Sequence, residues 1–514
     1  MLIARLALAA LAGAAVGVSF EPLRLVYLLP FAIALFALVC HEVSLRGGFL
    51  LGTVFGLAFL LVLLPWLQVI GVDAWIGVAL LEALFYGLLG LGTVAVLRLP
   101  PWPLLTAFLW VGVEMLRGVL PFGGFPWGRL AFATVDTPVA PLFAYTGAAG
   151  ATLAVALVGT VLAWTATRVR RTPARAVAVL VLTCLLASIG SAFPLNSPSP
   201  SENADSVTVA AVQGNVPGEG MNAFSERRAV LDNHVTATKD FAAQVESGEA
   251  PAPDIVIWPE NSTDIDPFTD PTVNADIQEA VDAVGVPVLV GAIVDGEEPT
   301  DVLNQGIVWR PGTGPGQRYS KTHPVPFGEY IPFRDQLARY ITRLDQIPRD
   351  MVPGSEPGLL EMNGTIVGDV ICFEVAYDAL VRDVVRGGAE VLVVQTNNAT
   401  YMGTGQIEQQ FAISRLRAIE SGRYLVVAAT NGVSGIISPR GKVVERAPTR
   451  TQAVLTHTLQ PATGITAGIR FGVWIEMSVS LLATVGLALG VATGFRRRRD
   501  HAKGPSPEKH YVDA

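Results

Sequence analysis

Residues 1–195 form a nearly continuous series of apolar segments, and this feature limits the possible fold more than any other. A helix needs roughly 20 apolar residues to cross a bilayer. A soluble helical bundle is the alternative, but seven such runs in succession favour a membrane domain. The sequence predicts about seven transmembrane helices, near residues 2–20, 24–41, 48–69, 74–97, 102–119, 138–166 and 174–193.

The composition agrees with a chain that is partly embedded in lipid. The 514 residues are 51% hydrophobic and 16% charged, with a mean hydropathy of +0.45. This is too apolar for an ordinary soluble enzyme, yet the length leaves room for one globular domain beside the spans. The net charge of −8 argues against nucleic acid as a partner, because phosphate binding needs clustered basic residues.

The first 20 residues resemble a signal peptide, with Arg5 ahead of an apolar run and several small residues. A second apolar run follows almost at once, which is not typical of a cleaved leader. We interpret the segment as an uncleaved first span.

Basic residues in the loops predict the orientation of the membrane domain. Four arginines lie between the sixth and seventh apolar runs, and RRRR (496–499) follows a last apolar run. The positive-inside rule puts both clusters in the cytoplasm. Seven spans then carry the chain out, and an eighth span at 469–494 returns it to a basic cytoplasmic tail at 495–514. Both termini are predicted to be cytoplasmic and the domain between the spans to be extracytoplasmic.

The loop LRGVLPFGGFPWGRL (116–130) does not fit this charge rule, since Arg117 and Arg129 fall on the outside. Aromatic rings and cations both find partners in the headgroup layer of a bilayer. The loop is therefore either an interfacial anchor or a contact surface for lipid headgroups.

After a polar linker at 196–205, the composition changes to that of a soluble α/β domain over 206–462. Several of its strand-like runs are apolar on both faces, as in sheets covered on both sides. Strands are predicted at 207–214, 254–259, 287–294, 306–310, 366–373, 389–396, 423–430 and 432–438, and helices at 224–245, 273–283 and 406–421. The segment 438–442 predicts a turn between the strands of a terminal hairpin.

Three separate segments of this domain carry reactive side chains. Glu260 follows an apolar strand, Lys321 and Glu329 share one loop, and Cys372 ends the run VGDVICFE with Glu374 two residues later. A cysteine nucleophile needs a base and a cation that stabilises the oxyanion. Each residue alone also has a plain structural explanation, and the functional interpretation depends on the whole set.

The cysteine count argues against other uses of Cys372. The chain has three cysteines, and Cys40 and Cys184 lie in apolar stretches as small core residues do. Cys372 is therefore expected to have no disulfide partner. No CxxC or Cys/His spacing suggests a metal, and the sequence predicts no cofactor.

The three segments resemble the motifs of the nitrilase superfamily, whose fold is an α-β-β-α sandwich. The match covers about 205–460 and includes Trp258-Pro-Glu260, the Lys321 loop and Cys372-Phe-Glu374, in the family's order and at comparable spacing. The resemblance implies that Glu260 is the general base, Lys321 the oxyanion stabiliser and Cys372 the nucleophile.

With its flanking spans, nearly the whole chain resembles the apolipoprotein N-acyltransferase family. Further matching segments are AVQGNVP (211–217), HPVPFGEYIPF (323–333) and LRGVLPFGGFPW (116–127). The resemblance implies transfer of an acyl chain from a membrane phospholipid to the α-amino group of a diacylated apolipoprotein, with a thioester on the cysteine and ping-pong kinetics. It also implies the bacterial inner membrane and, as a candidate partner, a polyprenol-monophosphomannose synthase.

The resemblance assigns accessory roles and also shows departures. Glu329 and Glu374 match the family's accessory carboxylates, and Asn304 matches a pocket asparagine. Phe373 stands where many members have tyrosine, and NNATYMG (397–403) replaces the usual Asn-Asp-Ala-Trp-Phe-Gly. These changes concern the acyl-chain and headgroup preference and the shape of the pocket.

Two other functions remain open at this stage. A membrane-tethered amidase of nitrilase type would use the same triad on a small soluble amide. A non-catalytic membrane scaffold for an envelope glycosyltransferase would keep only the fold. The eight spans argue against the first, and the complete set of Glu, Lys and Cys argues against the second.

The segment 334–347 has apolar residues at the spacing of one helix face, with charges on the others. It predicts either a helix that lies at the membrane interface or covers the site, or an ordinary surface helix of the domain.

Overall fold

The computed structural model describes residues 2–193, 206–217, 227–337 and 347–502. Its first part is helical. The helices are α1 Leu2–Gly17, α2 Leu29–Val39, α3 Leu45–Leu63, α4 Val72–Val96, α5 Trp102–Arg117, α6 Phe143–Arg168 and α7 Pro173–Ala187. A long C-terminal helix, Ala467–Ala502, packs against α5 and α6 and so joins this bundle from the other end of the chain.

A helix lies in each of the eight predicted spans. Four segments are long and apolar enough to cross a membrane by length and composition: α3, α4, Ala140–Arg168 and Ala467–Arg497. The helices at Leu2–Gly17, Val26–Val39 and Pro173–Ala187 are apolar but shorter. The chain therefore has a multi-span membrane domain, as predicted. The count of eight spans stays a prediction.

The second part is a sandwich of two sheets. The strands are β1 Val207–Gln213, β2 Ile255–Ile257, β3 Val288–Asp295, β4 Asp301–Arg310, β5 Gly314–Ser320, β6 Asp350–Met351, β7 Leu359–Met362, β8 Thr365–Ile371, β9 Val391–Thr396, β10 Leu425–Ala429, β11 Gly435–Ile437, β12 Val443–Arg446 and β13 Ala453–Leu459. One sheet has the order β13-β1-β2-β3-β4-β5, with β6 beside β4. The other has the order β12-β11-β10-β9-β8-β7.

Helices cover the outer face of each sheet. They are α8 Arg227–Glu246, α9 Pro271–Val284, α11 Asp378–Arg386 and α12 Gln406–Ser421. The short helix α10, Arg334–Leu337, lies between β5 and β6 in the chain, and the C-terminal helix is numbered α13. Apolar residues of α8 and α9 pack on the first sheet, a second cluster fills the space between the sheets, and a third joins α11 and α12 to the second sheet. This α-β-β-α arrangement confirms the predicted fold class.

The apolar cluster under α12 continues into the membrane domain. It includes Trp127 and Phe132 of the segment between α5 and α6 together with Phe411 and Leu416 of α12. Because burial of apolar surface is the main favourable term in association, the two domains are held as neighbours along α12.

The eight predicted strands and three predicted helices are confirmed, with ends that shift by a few residues. The predicted hairpin forms between β11 and β12, but it is not terminal, since β13 follows and pairs with β1. The prediction missed β5, β6, β7 and β13, because these strands either have two to four residues or consist mostly of exposed and partly exposed residues. It also missed α11.

Four predictions fall wholly or partly on residues that are not described. Residues 224–226 of the helix predicted at 224–245 lie outside the described part. The linker at 196–205 lies outside the described residues, and so does most of the amphipathic segment 334–347, of which the structure describes α10 and residue 347. Helix α13 continues through Arg496 beyond the predicted span end, and residues 503–514 of the predicted tail lie outside the described part.

The two arginines that oppose the charge rule are buried rather than free at the interface. Arg117 donates from Nε to Glu82 at 2.8 Å, and Arg129 contacts Asp378 and Glu476 at 2.7 and 2.9 Å. Buried charges need such partners because desolvation is costly. Arg129 is therefore not available as a headgroup contact of this loop, since it links the membrane domain to the α-β-β-α sandwich.

Candidate active site

Cys372 lies on a sharp turn at the end of β8. The strand ends at Ile371, and a single helical turn, Cys372–Ala376, follows directly. Cys372 has a φ of 56°, in the left-handed region that non-glycine residues seldom adopt. Such strain persists only where the surroundings hold it, and it is frequent at functional sites. The turn presents the partly exposed thiol at the edge of the sheet.

Glu260 follows β2 and is almost completely buried. Its Oε1 accepts from Asn304 Nδ2 at 2.7 Å and from Lys321 Nζ at 3.1 Å, while its Oε2 accepts from the backbone N–H of Asn397 at 2.7 Å. A methyl group on Gly291 would lie 2.1 Å from the carbonyl oxygen of Pro259, so glycine is required for this close approach. These contacts hold the carboxylate in one orientation.

Lys321 comes directly after β5, and 1% of its side chain is exposed. Its ammonium group contacts Glu260 Oε1 at 3.1 Å and Glu329 Oε1 at 2.6 Å. Burial disfavours the charge, but Glu260 and Glu329 raise the pKa of Lys321 well above its ordinary value. The side chain is therefore a fixed cation between two carboxylates.

The end of β9 connects the thiol to this cluster. Thr396 donates from Oγ1 to Cys372 Sγ at 3.4 Å, and the next residue, Asn397, donates its backbone N–H to Glu260. Two consecutive residues therefore touch the sulfur and the predicted base. The structure brings Cys372, Glu260, Lys321, Glu329 and Asn304 into one site, and their roles stay predictions.

Glu374 has a different position from the other carboxylates. It is fully buried and accepts hydrogen bonds from the hydroxyl of Tyr319 and from the backbone N–H groups of Thr322, His323 and Ile371. A buried carboxylate that accepts this many hydrogen bonds holds the donating segments in place. It fastens the loop after Lys321 to the turn that carries Cys372.

Phe373 faces the membrane domain. Its ring stacks on Trp127 with a centroid distance of 5.1 Å and an interplanar angle of 8°, and on Phe125 at 5.6 Å. Stacked rings add to the energy of area burial. The residue after the candidate nucleophile is thus packed against the segment of the membrane domain between α5 and α6.

Arg129 makes a second connection between the membrane domain and this turn. Its partner Asp378 also accepts from Arg417 at 2.6 Å, and Arg417 donates to the carbonyl oxygens of Val375 and Ala376 at 2.8 and 3.0 Å. The ion pairs therefore extend from the membrane domain to the backbone of the Cys372 turn.

Asp369, three residues before Cys372, is a buried carboxyl that the sequence analysis did not single out. Among the described residues, neither of its oxygens has a hydrogen-bond partner. Burial, with Glu374 and Glu260 nearby, raises the pKa of Asp369 well above its ordinary value. This environment favours the protonated form of Asp369. A methyl group on Gly306 would lie 2.2 Å from Asp369 Oδ2, so glycine at this position leaves space for the Asp369 carboxyl group.

Sequence reasoning missed the site residues that act through β9 and α12, namely Thr396, Asn397 and Gln410. The segment 397–403 had been noted only for its departure from the family pattern. Threonine and glutamine occur in many strands and helices, so their type carries little functional signal. Within the described ranges, no group of three or more His, Cys, Asp or Glu side chains is arranged to hold a metal ion.

The state of the thiol leads to a prediction about alkylation. Burial raises the pKa of Cys372 to about 12, Glu260 adds to the increase, and Lys321 opposes it. The resting group is then a thiol. We expect the rate of Cys372 alkylation by iodoacetamide to rise about tenfold per pH unit from about pH 7 to about pH 9, because only the thiolate reacts. The mass of the peptide that contains Cys372, followed over time, gives the rate, and a rate that is already constant near pH 7 would indicate a preformed thiolate.

Comparison with known proteins shows the family to which this chain belongs. Residues 12–161 match the apolipoprotein N-acyltransferase N-terminal domain, and residues 208–467 match the carbon-nitrogen hydrolase domain. An apolipoprotein N-acyltransferase of Mycolicibacterium smegmatis is 38% identical over 464 residues, which cover 86% of this chain and 77% of the relative. The chain belongs to the apolipoprotein N-acyltransferase family. It is therefore a membrane-bound acyltransferase with a nitrilase-type catalytic domain.

More distant members of the apolipoprotein N-acyltransferase family match along almost the full length. The relative from Geobacter metallireducens is 29% identical over 96% of both chains, and the one from Photobacterium profundum is 28% identical over 91% of this chain and 92% of its own. Among solved structures, an amidase from Nesterenkonia sp. AN1 aligns with 49% of this chain and 90% of its own, at 16% identity and a TM-score of 0.37. That value is too low to support any conclusion.

Proposed function

We propose that this acyltransferase moves a fatty acyl chain from a membrane phospholipid to the α-amino group of the diacylglyceryl-cysteine of apolipoproteins, through a thioester on Cys372. The observation that carries the proposal is the packing of the Cys372 turn, with its buried Glu260–Lys321 pair, directly on the membrane domain. A site held against the bilayer suits a donor and an acceptor that are both lipid-anchored.

In the first half-reaction Glu260 takes the proton of the Cys372 thiol as the sulfur attacks the ester carbonyl of the phospholipid. A C–S bond forms and the carbonyl oxygen becomes an oxyanion. When the oxyanion collapses, the C–O bond to the glycerol breaks. The departing alkoxide takes the proton from Glu260 and leaves as a lysophospholipid.

In the second half-reaction the amine of the apolipoprotein attacks the thioester. Glu260 accepts a proton from the attacking nitrogen, a C–N bond forms, and the C–S bond breaks. The leaving sulfur of Cys372 recovers the proton from Glu260. The enzyme returns to its starting state, and the overall change is transfer of one acyl group.

Lys321 is suited to stabilise both oxyanions. An ammonium group has three N–H donors, and two of them are directed to Glu260 and Glu329. One donor remains for the developing oxyanion. Because the charge is buried and held from two sides, it needs little reorganisation during the reaction, which is the condition for strong electrostatic stabilisation.

For localisation we propose the bacterial inner membrane, eight spans, an extracytoplasmic catalytic domain and cytoplasmic termini. The arginines of the α6–α7 loop and of the α13 end support this orientation by the positive-inside rule. The two exceptions, Arg117 and Arg129, are accounted for by their buried carboxylate partners. The polyprenol-monophosphomannose synthase remains a separate prediction, tested by co-purification from native membranes.

The proposal is tested with purified full-length protein in vesicles that contain a phospholipid with isotope-labelled acyl chains and a diacylglyceryl-cysteine peptide. We expect labelled N-acyl peptide and one lysophospholipid per acyl group transferred, both seen by mass spectrometry. The Glu260→Gln variant keeps the size and the hydrogen-bond acceptor of Glu260 but not the base, and we expect it to lose about 100- to 10,000-fold in rate.

Other products would point to the two alternatives. Release of labelled free fatty acid in place of N-acyl peptide would indicate a hydrolase of amidase type. A folded wild-type protein that produces neither product, in vesicles that contain the donor and the acceptor, would indicate a scaffold without catalysis.

A further inference from the structure

The nucleophile has a hydrogen-bond donor that the proposed mechanism does not use. Strands β8 and β9 are parallel, with Ile371 opposite Gln395, so Thr396 comes to lie beside Cys372. The Thr396 hydroxyl is buried and lies 3.4 Å from Cys372 Sγ. We propose that Thr396 is a positioning residue for acyl transfer, which holds the sulfur and stabilises its thiolate as it forms; this deepens the proposed function and rests on it.

The hydroxyl of Thr396 is fixed from its other side. Gln410 donates from Nε2 to Thr396 Oγ1 at 2.9 Å. A hydroxyl has a single hydrogen to donate, and two acceptors are within range: Cys372 Sγ at 3.4 Å and Asn398 Oδ1 at 3.3 Å. The position of the oxygen is thus set, while its hydrogen can turn from one acceptor to the other.

This choice of acceptor favours the reacting state. A neutral thiol is a weak acceptor, whereas an ionised group makes hydrogen bonds that are about twice as strong. As Cys372 loses its proton, the Thr396 hydrogen therefore turns toward Sγ. The bond strengthens with the charge on sulfur, so it lowers the barrier rather than merely stabilising the resting enzyme.

A buried amide cluster keeps Gln410 in place. Its Oε1 accepts from Gln406 Nε2 at 2.8 Å and from Asn398 Nδ2 at 3.0 Å. All three amide side chains are almost fully buried. Because each donor is directed to a definite acceptor, the cluster specifies which way the Gln410 amide faces and therefore presents an N–H to Thr396.

The same turn of α12 is held by the membrane domain. Gln409 accepts from Trp127 Nε1 at 2.8 Å and from Trp66 Nε1 at 3.2 Å, and it donates to the carbonyl oxygen of Leu63 at 3.1 Å. Gln409 and Gln410 are adjacent, so one helical turn contacts both the membrane domain and the threonine at the sulfur. The donor at the thiol is thereby positioned by both domains.

The test compares Thr396→Val and Thr396→Ala, which lack the hydroxyl, with Thr396→Ser, which keeps it. The valine variant preserves the shape of threonine, and the alanine variant provides a second hydroxyl-free protein if valine does not fold. Each full-length protein is assayed for iodoacetamide alkylation of Cys372 from about pH 7 to about pH 9, and for kcat and KM in acyl transfer.

We expect the valine and alanine variants to be alkylated about tenfold more slowly at every pH and to lose about tenfold in kcat, with KM within about twofold of wild type. We expect Thr396→Ser to stay within about threefold of wild type in both assays. Wild-type alkylation and kcat in a folded hydroxyl-free variant would overturn the proposal. If alkylation depends on Thr396 but the wild-type protein transfers no acyl group, the hydrogen bond from Thr396 to Cys372 is supported and the proposed function is rejected.

Discussion

Replacement of Cys372 by alanine removes acyl transfer, with an expected loss of at least about 10⁴-fold in rate. The physical reason is that, within the described residues, the strained turn between β8 and α11 carries no other nucleophile. Alanine adopts the left-handed backbone of this position at a cost similar to that of cysteine, so the variant should fold. Release of N-acyl peptide from labelled phospholipid is the measurement.

Cys372→Ser is a sharper version of the same test. Serine fits the site, but its hydroxyl holds its proton far more strongly than a thiol, and a carboxylate such as Glu260 is too weak a base for it. We therefore expect a loss of about a thousandfold or more in spite of native packing.

Cys184→Ala is the matched control. The prediction that Cys184 is a core residue was wrong, because the structure places it as an exposed free cysteine on α7, whereas Cys40 is buried as predicted. We expect Cys184→Ala to keep wild-type activity. Substantial acyl transfer by a folded Cys372→Ala protein would contradict the assignment of the nucleophile.

Lys321→Met is expected to lower kcat by about 100- to 1000-fold, since it removes the charged donor to the oxyanion and keeps a side chain of similar length. It also leaves Glu260 and Glu329 facing each other without the cation between them. Lys321 lowers the pKa of Glu329, so without it burial and the nearby Glu260 carboxylate raise that pKa further. The pH dependence of kcat measures both effects.

The sign of the pH effect follows from Glu329. In Lys321→Met the raised pKa of Glu329 means that this carboxyl regains its wild-type charge only as the pH rises, so the residual activity should increase from about pH 7 to about pH 9 more steeply than that of wild type. Lys321→Arg keeps the charge, but its planar fork does not match the gap between the two carboxylates, and we expect an intermediate loss. A pH profile of Lys321→Met that parallels wild type would contradict the arrangement described for Glu260 and Glu329.

Much of the fold was predictable because its signals are local. The apolar runs of the membrane domain and the strands β1, β3, β8, β9 and β10 are each coded by a few consecutive residues. Glu260, Lys321 and Cys372 were also found from short motifs that follow strand-like segments, and the structure brings them to one end of the sandwich.

The contacts between the two domains were not predictable in this way. Arg129 and Asp378 are 249 residues apart in the sequence, and Trp127 and Gln409 are 282 residues apart. Pairings of this kind depend on the final packing rather than on local propensity. For Arg129, the charge pattern pointed to a partner but gave no indication that it was a carboxylate of the catalytic domain.

The protonation state of buried groups was also beyond the sequence. Asp369 looks like any acidic residue in a strand, and only its burial beside Glu374 and Glu260 raises its pKa well above the ordinary value. Similarly, the sequence left open whether Cys372 rests as thiol or thiolate. Its burial and the nearby Glu260 carboxylate favour the thiol.

The central claim is that a thioester on Cys372 carries the acyl group, and trapping that intermediate tests it most directly. Purified wild-type protein is incubated with labelled phospholipid and no acceptor, digested, and analysed by mass spectrometry. We predict one labelled acyl group on the peptide that contains Cys372, which hydroxylamine removes and which added diacylglyceryl-cysteine peptide takes up as an N-acyl group. A label that is on another residue, that persists in Cys372→Ala, or that does not pass to the amine would contradict the account.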